Sequence, residues 1–420
     1  MSRANETCRT DATLPEIEAP RLVDPRARLL SRLLPSIRAG RLRIELPNGQ
    51  TIYRTGAEEG PEASLVLHRW RALWRLATGG DVGFAEAYID GDWSADDLTA
   101  VVRIAARNLD DIAKATSGSW LVRMFNRALH RANANTRSGS RRNIVAHYDL
   151  GNAFYARWLD ESMLYSSAIF NETTRDLAAA QALKLRRIRA LLGYQPGASI
   201  LEIGFGWGAL AAHLASDGKT RVTGLTLSPS QLEWARGVIE QRRLQDRVDL
   251  RIEDYRDVTG SFDRVVSIEM LEAVGVDYWP SYFEKIAAVM KPGGRAVLQV
   301  ITIADEREAS YRRAPDFIQK HVFPGGVLPS PSSMQRAVMG AGLQIAHAET
   351  FGASYALTLA AWRRRFHADR DEIAKQGFDE RFLRLWDYYL CYCEAGFLEG
   401  VVDVGLYVIT HRKPGDATPG

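Results

Sequence analysis

The strongest constraint on the fold is a stretch in which an apolar run ends in three glycines at alternate positions. It reads Ser199-Ile-Leu-Glu-Ile-Gly-Phe-Gly-Trp-Gly208, and Ala209-Leu-Ala-Ala-His-Leu-Ala215 follows. The apolar run contains β-branched residues and comes just after the turn former Pro196-Gly197, so it predicts a buried strand. The residues after the glycines predict a helix. Strand, tight turn and helix together are one unit of an α/β fold.

The three glycines also indicate that a ligand lies over the turn. Gly204, Gly206 and Gly208 lack a Cβ atom, so the backbone is free to adopt a positive φ or to pass close beneath a ligand. The spacing is not the dinucleotide fingerprint G-x-G-x-x-G, and no phosphate-binding Lys follows it. Glu202 adds a carboxylate beside the glycines. The alternative is a glycine turn that binds nothing.

The composition is that of a globular protein with two or three domains. The chain has 420 residues, of which 46% are hydrophobic and 25% charged, and its formal net charge is only +3. Its three cysteines, Cys8, Cys391 and Cys393, form no disulfide framework, and C-x-C alone is a weak signal, so we predict no metal site. No apolar run reaches about 18 residues and no secretory signal is apparent, so we expect a cytoplasmic protein that meets lipid only at a surface.

The first part of the chain predicts a flexible polar tail at residues 1–22 and a small α+β domain at residues 23–110. Alternating apolar residues on either side of Pro47-Asn-Gly49 predict a hairpin. A glycine pair, Gly79-Gly80, follows an apolar helical pattern and predicts its end. In chain order we therefore predict a hairpin over 41–53, a strand at 64–68 and helices at 69–78 and 96–108.

Residues 111–143 form a basic segment that connects the two halves of the chain. No acidic residue occurs between Asp111 and Asp149, whereas several arginines alternate with Trp120, Met124 and Phe125. A solvated linker between domains is one interpretation. A basic amphipathic surface for anionic lipid head groups is the other. Nucleic acid is a third option, but no stacking or groove-reading motif supports it.

Residues 144–411 predict a second domain in which strands and helices alternate. This alternation predicts a mostly parallel, doubly wound sheet whose ligand lies beyond the carboxyl ends of the strands. Residues 304–330 interrupt the alternation and combine apolar residues with turn formers, which favours a lid or a substrate channel. The predicted strands are 199–203, 221–226, 248–252, 262–268, 295–303, 343–350 and 401–409, and the later helices are 331–341, 358–374 and 380–396.

Several ordered motifs between Ile144 and Ile409 carry more than a fold pattern. They are H-Y-D-L-G-N at 147–152, Y-S-S-A at 165–168, the glycine motif, E-D-Y-R-D at 253–257, E-M-L-E-A-V-G at 269–275, F-P-G-G-V-L-P-S at 323–330 and Y-Y-L-C-Y-C-E-A-G-F at 388–397. Together they resemble the cyclopropane-fatty-acyl-phospholipid synthase and mycolic acid methyltransferase family. The resemblance implies a seven-stranded, Rossmann-like S-adenosylmethionine (SAM) methyltransferase domain. E-A-Y-I-D-G-D-W at 86–93 is similar to the extra N-terminal domain of the longer bacterial members.

The resemblance implies a methyl transfer from SAM to the cis double bond of an unsaturated acyl chain in a membrane phospholipid. The transfer leaves a carbocation on the acyl chain, and a base then removes a proton. Loss of a proton from the new methyl group closes a cyclopropane ring, and loss from a neighbouring chain carbon gives a methylated alkene. In both cases the site must be dry, because water would capture the cation.

The resemblance also implies a set of cofactor-binding residues. They are Tyr165, Ser166, Gly204, Gly206, Gly208, Thr226, Leu227, Gln231, Glu253 and Asp254. Gly204 and Gly206, Thr226 and Asp254 follow three successive predicted strands, which is where a ligand of such a sheet binds. Gln231 has a second interpretation, since Ser228-Pro229-Ser-Gln231 is a helix-capping pattern. Asp254 is alternatively a loop carboxylate without a ligand.

The family is thought to use a bound bicarbonate ion as the base. The matching positions here are Ser167, Glu272, Gln299, Tyr355 and the backbone near Ile301, where the family pattern has Cys, Glu, His, Tyr and a backbone amide. Ser and Gln still form hydrogen bonds to an anion but bring no positive charge, which leaves the product open. Glu272 is alternatively a helix-start carboxylate and Tyr355 a core residue. Cys393 matches a cysteine once proposed as catalytic, although a buried, inert thiol is the simpler interpretation.

The partners implied are a phospholipid bilayer surface with unsaturated acyl chains and, at most, a second copy of this chain, but no nucleic acid. The expected location is the inner face of the cell membrane, as a peripheral protein. Two other functions stay open at this point. One is a methyltransferase for a soluble small molecule, and the other is a catalytically inactive SAM- or lipid-binding protein.

Overall fold

The computed structural model describes residues 24–33, 37–108, 150–313 and 315–412. The predicted tail at 1–22 and the basic segment at 111–143 lie outside the described residues, as do His147 and Asp149 of the first family motif.

The N-terminal α+β domain is a four-stranded sheet covered by helices. Strands β1 and β2 form the predicted antiparallel hairpin, with Ile44 opposite Ile52. Strand β3 is parallel to β1 and places β4 at the other edge of the sheet. Helix α3 begins at the N-cap Asp97, whose carboxylate accepts a hydrogen bond from the backbone N–H of Ala100. The elements are α1 (Pro25–Leu33), β1 (Ala39–Glu45), β2 (Thr51–Thr55), β3 (Glu58–Leu67), α2 (Arg71–Ile89), β4 (Trp93–Ala95) and α3 (Leu98–Arg107).

Helix α2 continues beyond the end that the sequence predicts. The prediction of a stop at Thr78 is wrong, because only Gly80 leaves the helical conformation, with φ 59° and ψ −138°. Helical structure resumes after this residue. A single glycine therefore kinks the helix rather than ending it. The second half buries Ala85, Ala87 and Ile89 in the domain core, which holds the continuation in place.

The second domain is built on a seven-stranded sheet of the predicted, doubly wound kind. Five central strands are parallel, and the last strand is inserted antiparallel between two others. The strands are β5 (Ser199–Ile203), β6 (Arg221–Thr226), β7 (Val248–Ile252), β8 (Phe262–Ile268), β9 (Met290–Ile303), β10 (Leu343–Thr350) and β11 (Val402–His411). Their order across the sheet is β10-β11-β9-β8-β5-β6-β7. The carboxyl ends of β5, β6 and β7 are adjacent, so the segments that follow them meet at one edge.

Helices cover the sheet and follow the predicted alternation. Asp176 and Ser228 are N-caps, and each side chain accepts a hydrogen bond from the backbone N–H three residues on. The helices are α4 (Asn152–Trp158), α5 (Leu177–Leu192), α6 (Ala209–Ala215), α7 (Pro229–Gln241), α8 (Trp279–Val289), α9 (Asp305–Tyr311), α10 (Phe317–His321), α11 (Pro331–Gly340), α12 (Gly352–Ala368), α13 (Arg370–Lys375) and α14 (Glu380–Leu398). Short helices α9 and α10 lie within the predicted lid segment at 304–330.

Two boundaries in this domain differ from the prediction. Strand β9 begins at Met290 rather than after the turn former Pro292-Gly-Gly294, because Met290 already pairs with Phe262. The register then shifts before Arg295 pairs with Arg264, so the turn formers make a bulge inside the strand. The predicted helix at 358–374 is two helices that meet at Asp369. The first of them begins at Gly352 and so includes Tyr355.

Helix α14 joins the two domains. Its Asp387 is buried and accepts hydrogen bonds from Tyr88 of the N-terminal domain (2.8 Å) and from Arg363 (2.8 Å). The Arg384 guanidinium lies 4.0 Å from the centre of the Tyr88 ring and donates to the backbone carbonyls of Tyr88 and Trp93. Partly buried charge pairs of this kind fix one orientation of the two domains.

Candidate active site

A cavity of about 1060 Å³ extends from the glycine turn after β5 into the N-terminal domain. This volume is slightly above the range of about 300–1,000 Å³ that is usual for ligand pockets. One end is lined by Gly204, Gly206 and Thr226, and the other by Leu42, Ile44 and other apolar residues of the N-terminal sheet. The cavity therefore places a polar end at the edge of the large sheet and an apolar end in a different domain.

The glycine turn has the backbone conformation that the sequence predicts. The φ angles of Gly204, Gly206 and Gly208 are 83°, 55° and 89°, all in the region that favours glycine. A Cβ atom on Gly204 would lie 2.5 Å from Cγ of Met270, whereas the space beside Gly206 is open. Gly206 thus leaves room for a ligand, and Gly204 allows the Met270 segment to approach.

Gly208 has a packing role instead of a place on the cavity wall. A Cβ atom at this position would lie 2.9 Å from the Cβ atom of Ala235 in α7. The third glycine of the motif thus allows α6, which begins after it, to lie close against α7.

The segment after β6 presents Thr226, Leu227 and Gln231 to the cavity. The backbone N–H of Gln231 donates to Ser228 Oγ, so the predicted N-cap is present. The Gln231 side chain does not complete the capping box. Its Oε1 accepts a hydrogen bond from the Thr226 hydroxyl at 2.9 Å, which holds both side chains at the cavity wall.

The two acidic residues after β7 take different positions. Glu253 lines the cavity. Asp254 does not, and it accepts two hydrogen bonds from the Arg256 guanidinium, at 2.8 and 2.7 Å. In this structure Asp254 is thus a loop carboxylate that pairs with Arg256.

Tyr165 and Ser166, which precede α5, also line the cavity. The Tyr165 hydroxyl is 2.8 Å from the hydroxyl of Tyr389 on α14. Ser166 Oγ accepts a hydrogen bond from Lys184 Nζ at 2.6 Å. Lys184 is fully buried, and burial lowers the pKa of its ammonium to about 8, although the nearby carboxylates of Glu269 and Asp160 favour the charged form.

Glu202 gives the polar end of the cavity a buried acid. Among the described residues, its Oε2 atom has no hydrogen-bond partner, and burial raises the pKa of this carboxyl to about 8. SAM carries positive charges on its sulfur and its amino group and a negative charge on its carboxylate. The Glu253 carboxylate and the open space at Gly206 therefore fit SAM in both charge and shape.

Glu269 is an acid in the cavity wall that accepts three hydrogen bonds. It is not among the site residues that the sequence predicts. Its Oε1 accepts hydrogen bonds from the backbone N–H of Ser167 at 2.9 Å and from Gln299 Nε2 at 2.7 Å. Its Oε2 accepts one from the Tyr355 hydroxyl at 2.8 Å. Burial raises the pKa of this carboxyl, and the hydrogen bonds and the Lys184 charge act against that rise. The signal in the sequence is that E-M-L-E at 269–272 contains a carboxylate, Glu269, three residues before Glu272.

The structure thus brings Ser167, Gln299 and Tyr355 together, as predicted, but around a side chain of the protein itself. The Ser167 hydroxyl donates to the carbonyl of Ala168, so only its backbone amide faces the carboxylate. Tyr355 lines the cavity, whereas Ser167 and Gln299 are fully buried behind Glu269. These donors do not form a free set for a bicarbonate ion, and we derive no step through that ion.

Glu272 lies beside this group in a different environment. Its Oε1 accepts the backbone N–H of Ile301 at 2.5 Å, which is the backbone amide that the resemblance implies. Its Oε2 is buried and has no partner among the residues that the structure describes. Burial, and next the charge of Glu269, raise the pKa of Glu272 to about 8. Glu272 therefore retains a proton at neutral pH more readily than an ordinary glutamate.

Cys393 lines the cavity from α14. Burial raises the pKa of its thiol well above the usual range, so the thiol stays protonated. This environment agrees with the interpretation of an inert cysteine. Among the described residues, no three His, Cys, Asp or Glu side chains are grouped as metal ligands.

Comparison with known proteins identifies the family. A family model described as "Mycolic acid cyclopropane synthetase" matches residues 135–406, which is more than half of the chain. The chain belongs to this family. The members include cyclopropane synthases and methyltransferases that act on lipids, and the protein is a SAM-dependent methyltransferase.

Relatives in the mycolic acid cyclopropane synthetase family cover most of the chain. A tuberculostearic acid methyltransferase of Mycobacterium tuberculosis is 39% identical over 369 residues, which is 86% of each chain. A cyclopropane-fatty-acyl-phospholipid synthase of Escherichia coli is 35% identical over 329 residues, covering 77% of this chain and 81% of the relative. Both matches are longer than the family region, so they reach into the N-terminal domain.

Solved structures share the fold of the second domain. The mycolic acid cyclopropane synthase CmaA1, crystallised with SAH and CTAB, aligns with a TM-score of 0.60 and 27% identity. The alignment covers 64% of this chain and 97% of that chain. Bound SAH in a family member agrees with SAM as the cofactor here. When bound, SAM supplies an electrophilic methyl carbon attached to a positively charged sulfur.

Proposed function

We propose that this enzyme transfers the methyl carbon of SAM to the double bond of an unsaturated acyl chain in a membrane phospholipid, with cyclopropane as the product. The observation that carries the proposal is the continuity of one cavity from the glycine turn to the apolar interior of the N-terminal domain. A soluble small molecule would not need an apolar channel that crosses into a second domain. A long hydrocarbon chain fills such a space and gains free energy as its surface leaves water.

The apolar end of the cavity is built from both layers of the N-terminal domain. Strands β1 and β3 contribute branched side chains, and helices α2 and α3 contribute the opposite wall. The lining residues from this domain include Leu42, Ile44, Leu65, Leu67, Leu73, Leu76, Val101, Val102 and Ala105. Most of this wall is apolar and offers neither a nucleophile nor a site for water near the double bond, and Thr78 and Asp81 of α2 are its polar members.

Aromatic rings line the part of the cavity near Glu269 and Glu272. Tyr355 stacks on Phe397 with ring centres 4.4 Å apart, and Tyr165 and Tyr389 lie on the same wall. The faces of aromatic rings attract positive charge. These rings would stabilise a carbocation on the acyl chain while excluding water from it.

A methyl-branched alkene is a second candidate product. The relative with 39% identity is named for tuberculostearic acid, whereas the cyclopropane-forming relative from Escherichia coli is 35% identical. Both products require the same methyl transfer and the same kind of base, and they differ in which carbon loses the proton.

Mass spectrometry of phospholipids from a heterologous host tests the proposal and separates the products. The host is grown with methionine whose methyl group is deuterated, with and without the enzyme. A ring keeps two deuterons and its mass does not change on diimide reduction. A methylated alkene gains two hydrogens on reduction, and it keeps three deuterons if the proton left a chain carbon. No new acyl species in any unsaturated lipid would contradict the proposal.

We further propose that the protein works at a membrane surface. In the described ranges, no helix has the length and apolar character needed to cross a bilayer. Trp74 on α2 is 68% exposed, although its neighbour Leu73 lines the cavity. An exposed tryptophan next to a residue of the apolar cavity wall suits the interface of a bilayer, where amphipathic rings are favoured.

Sedimentation with vesicles of anionic, unsaturated phospholipid tests this surface. Trp74→Ala should bind the vesicles several-fold more weakly than the native protein. Tyr53→Ala removes another exposed ring, on β2 and outside the cavity wall, and should bind normally. Absence of native binding at low salt would favour a soluble substrate instead.

A further inference from the structure

We propose that Glu269 is the catalytic base of this enzyme, and that its carboxylate takes the proton from the methylated acyl chain without a bound anion such as bicarbonate. The proposal rests on the proposed function, because it names the group that completes that reaction.

The hydrogen bonds to Glu269 orient its carboxylate and leave one position for a proton. A carboxylate has about four acceptor positions, two on each oxygen. Within the described part of the chain, Ser167 and Gln299 occupy Oε1, whereas Oε2 accepts the Tyr355 hydroxyl alone. Oε2 therefore retains an acceptor position. Because Glu269 and Tyr355 both line the cavity, this position lies beside the space that the substrate would fill.

The backbone holds Glu269 close to the cofactor end of the cavity. Its φ angle is 50°, in a region that non-glycine residues seldom adopt and that costs of the order of 1 kcal/mol or more. The next residue, Met270, lies directly against the glycine turn, as the contact with Gly204 shows. A strained conformation that aims a carboxylate into a cavity next to a cofactor site indicates a functional constraint on that carboxylate.

The environment favours ionised Glu269 over ionised Glu272. Three donors and the buried Lys184 ammonium stabilise the negative charge of Glu269. The Glu272 carboxyl receives backbone hydrogen bonds only, chiefly from Ile301, and among the described residues its buried Oε2 has no partner. A buried charge without such compensation is costly, so Glu272 is the residue that retains its proton. The negative charge that a base needs is therefore located on Glu269.

The proton transfer balances within the substrate and the protein. One C–H bond of the acyl cation breaks, either at the transferred methyl carbon or at a neighbouring chain carbon. Its electron pair forms the third ring bond in the first case and a double bond in the second. The proton moves to Glu269 Oε2, which gives a neutral carboxylic acid, and it passes to water after the product leaves. No oxidant or reductant takes part.

Two substitutions test the role directly. Glu269→Gln keeps the size of the side chain but removes the base, and its kcat should fall at least 100-fold, the lower limit usual for such a group. Its affinity for SAM, measured by calorimetry, should stay within threefold. Glu269→Gly relaxes the backbone at positive φ and opens a carboxylate-sized space among the same donors. Its kcat should fall equally.

Added anions separate a catalytic role from a structural one. Bicarbonate or formate should raise kcat of Glu269→Gly at least tenfold and leave Glu269→Gln and the native enzyme unchanged. Calorimetry should detect bicarbonate binding to Glu269→Gly and none to the native protein. Glu269→Ala serves in the same way if the glycine variant does not fold. Glu349→Gln alters a carboxylate that pairs with Arg187 and does not line the cavity, so it should keep native kcat.

Three results would overturn the role of Glu269. They are a kcat of Glu269→Gln within threefold of native, native activity that falls tenfold in carbonate-free buffer and returns with bicarbonate, and a folded, SAM-binding Glu269→Gly that neither anion activates. In each case the native enzyme still methylates lipid. Failure of the proposed function looks different, because the native enzyme would then form no methylated lipid under any condition.

Discussion

The two ends of the cavity are constructed in different ways. At the cofactor end, the wall is formed by backbone conformation and a few polar side chains from short segments at the ends of neighbouring strands. At the apolar end, which we assign to the acyl chain and call the acyl end, apolar side chains from two domains form the wall, and no motif marks them. The comparison indicates that what the enzyme donates is encoded locally, whereas what it accepts depends on how the domains are assembled.

Gly206→Val is expected to have the largest effect and to act at the cofactor end only. The valine side chain would enter the open space beside the turn, at a φ of 55° that β-branched residues avoid. Calorimetry should show at least a 100-fold loss of SAM affinity, with vesicle binding unchanged. Gly237→Val, at an open helical position in α7, is the control and should bind SAM normally. Native SAM affinity in Gly206→Val would refute the assignment of the turn to the cofactor.

Asp387→Asn tests the junction on which the acyl end depends. Its buried carboxylate accepts hydrogen bonds from Tyr88, Arg363 and His367, so loss of the charge removes the ion pair with the mostly buried Arg363 guanidinium. Urea unfolding should show a loss of about 3 kcal/mol. Glu380→Gln breaks an exposed ion pair with Arg370 and should change stability by less than about 1 kcal/mol. Equal, small effects would mean that the junction contributes little.

Ala105→Phe should affect the acyl end alone. The larger side chain would occupy space where α3 lines the cavity, so long acyl chains should fit less well. We expect kcat/KM for the lipid to fall about tenfold, in line with the effect of small volume changes in apolar pockets, and SAM affinity to stay native. Ala348→Phe, at an exposed position of β10, is the matched control. A normal kcat/KM in Ala105→Phe would place the acyl chain elsewhere.

Glu202→Gln should have an effect that depends on pH. Because the folded protein holds the Glu202 proton up to a pKa of about 8, the native protein loses stability as the pH rises from about 4.5 to about 8. Without SAM, the variant should therefore gain stability relative to the native protein by an amount of the order of a few kcal/mol between pH 5 and pH 9.

Glu349→Gln provides the opposite sign as a control for this pH dependence. The Arg187 guanidinium lowers the pKa of Glu349, so the stability that this carboxylate contributes is present above about pH 4.5 and lost in acid. The variant should be less stable than the native protein at pH 9, with the gap closing in acid. Parallel pH curves for Glu202→Gln and the native protein would show that Glu202 titrates normally.

The sequence predicts the position of several residues at the cofactor end because they are close together in the chain or lie at the ends of adjacent strands. Gly204, Gly206 and Thr226 lie where the order of strands and turns puts them. The role of Glu269 could not be predicted, because its contacts are not local in the chain. Its partners come from three distant segments, and its positive φ has no signature in the residue type.

The residues that line the acyl end could not be predicted, because the hydrophobic pattern is ambiguous. Leu42 and Ile44 alternate as in any half-buried strand, and the same alternation describes a filled core and a cavity wall. The predicted end of α2 was wrong for a related reason. The glycine pair kinks the helix that lines the cavity instead of ending it. Both distinctions depend on packing between segments, which a local pattern does not contain.

Helix α14 gives the enzyme a constraint on how it can evolve. Arg384 and Asp387 of the helix contact the N-terminal domain. Tyr388, Tyr389 and Tyr392 of the same helix line the cavity. Exchange of the N-terminal domain for another domain would therefore disturb the cavity itself. New acyl-chain preferences should arise through paired substitutions on both sides of this helix, so that the two domains evolve together.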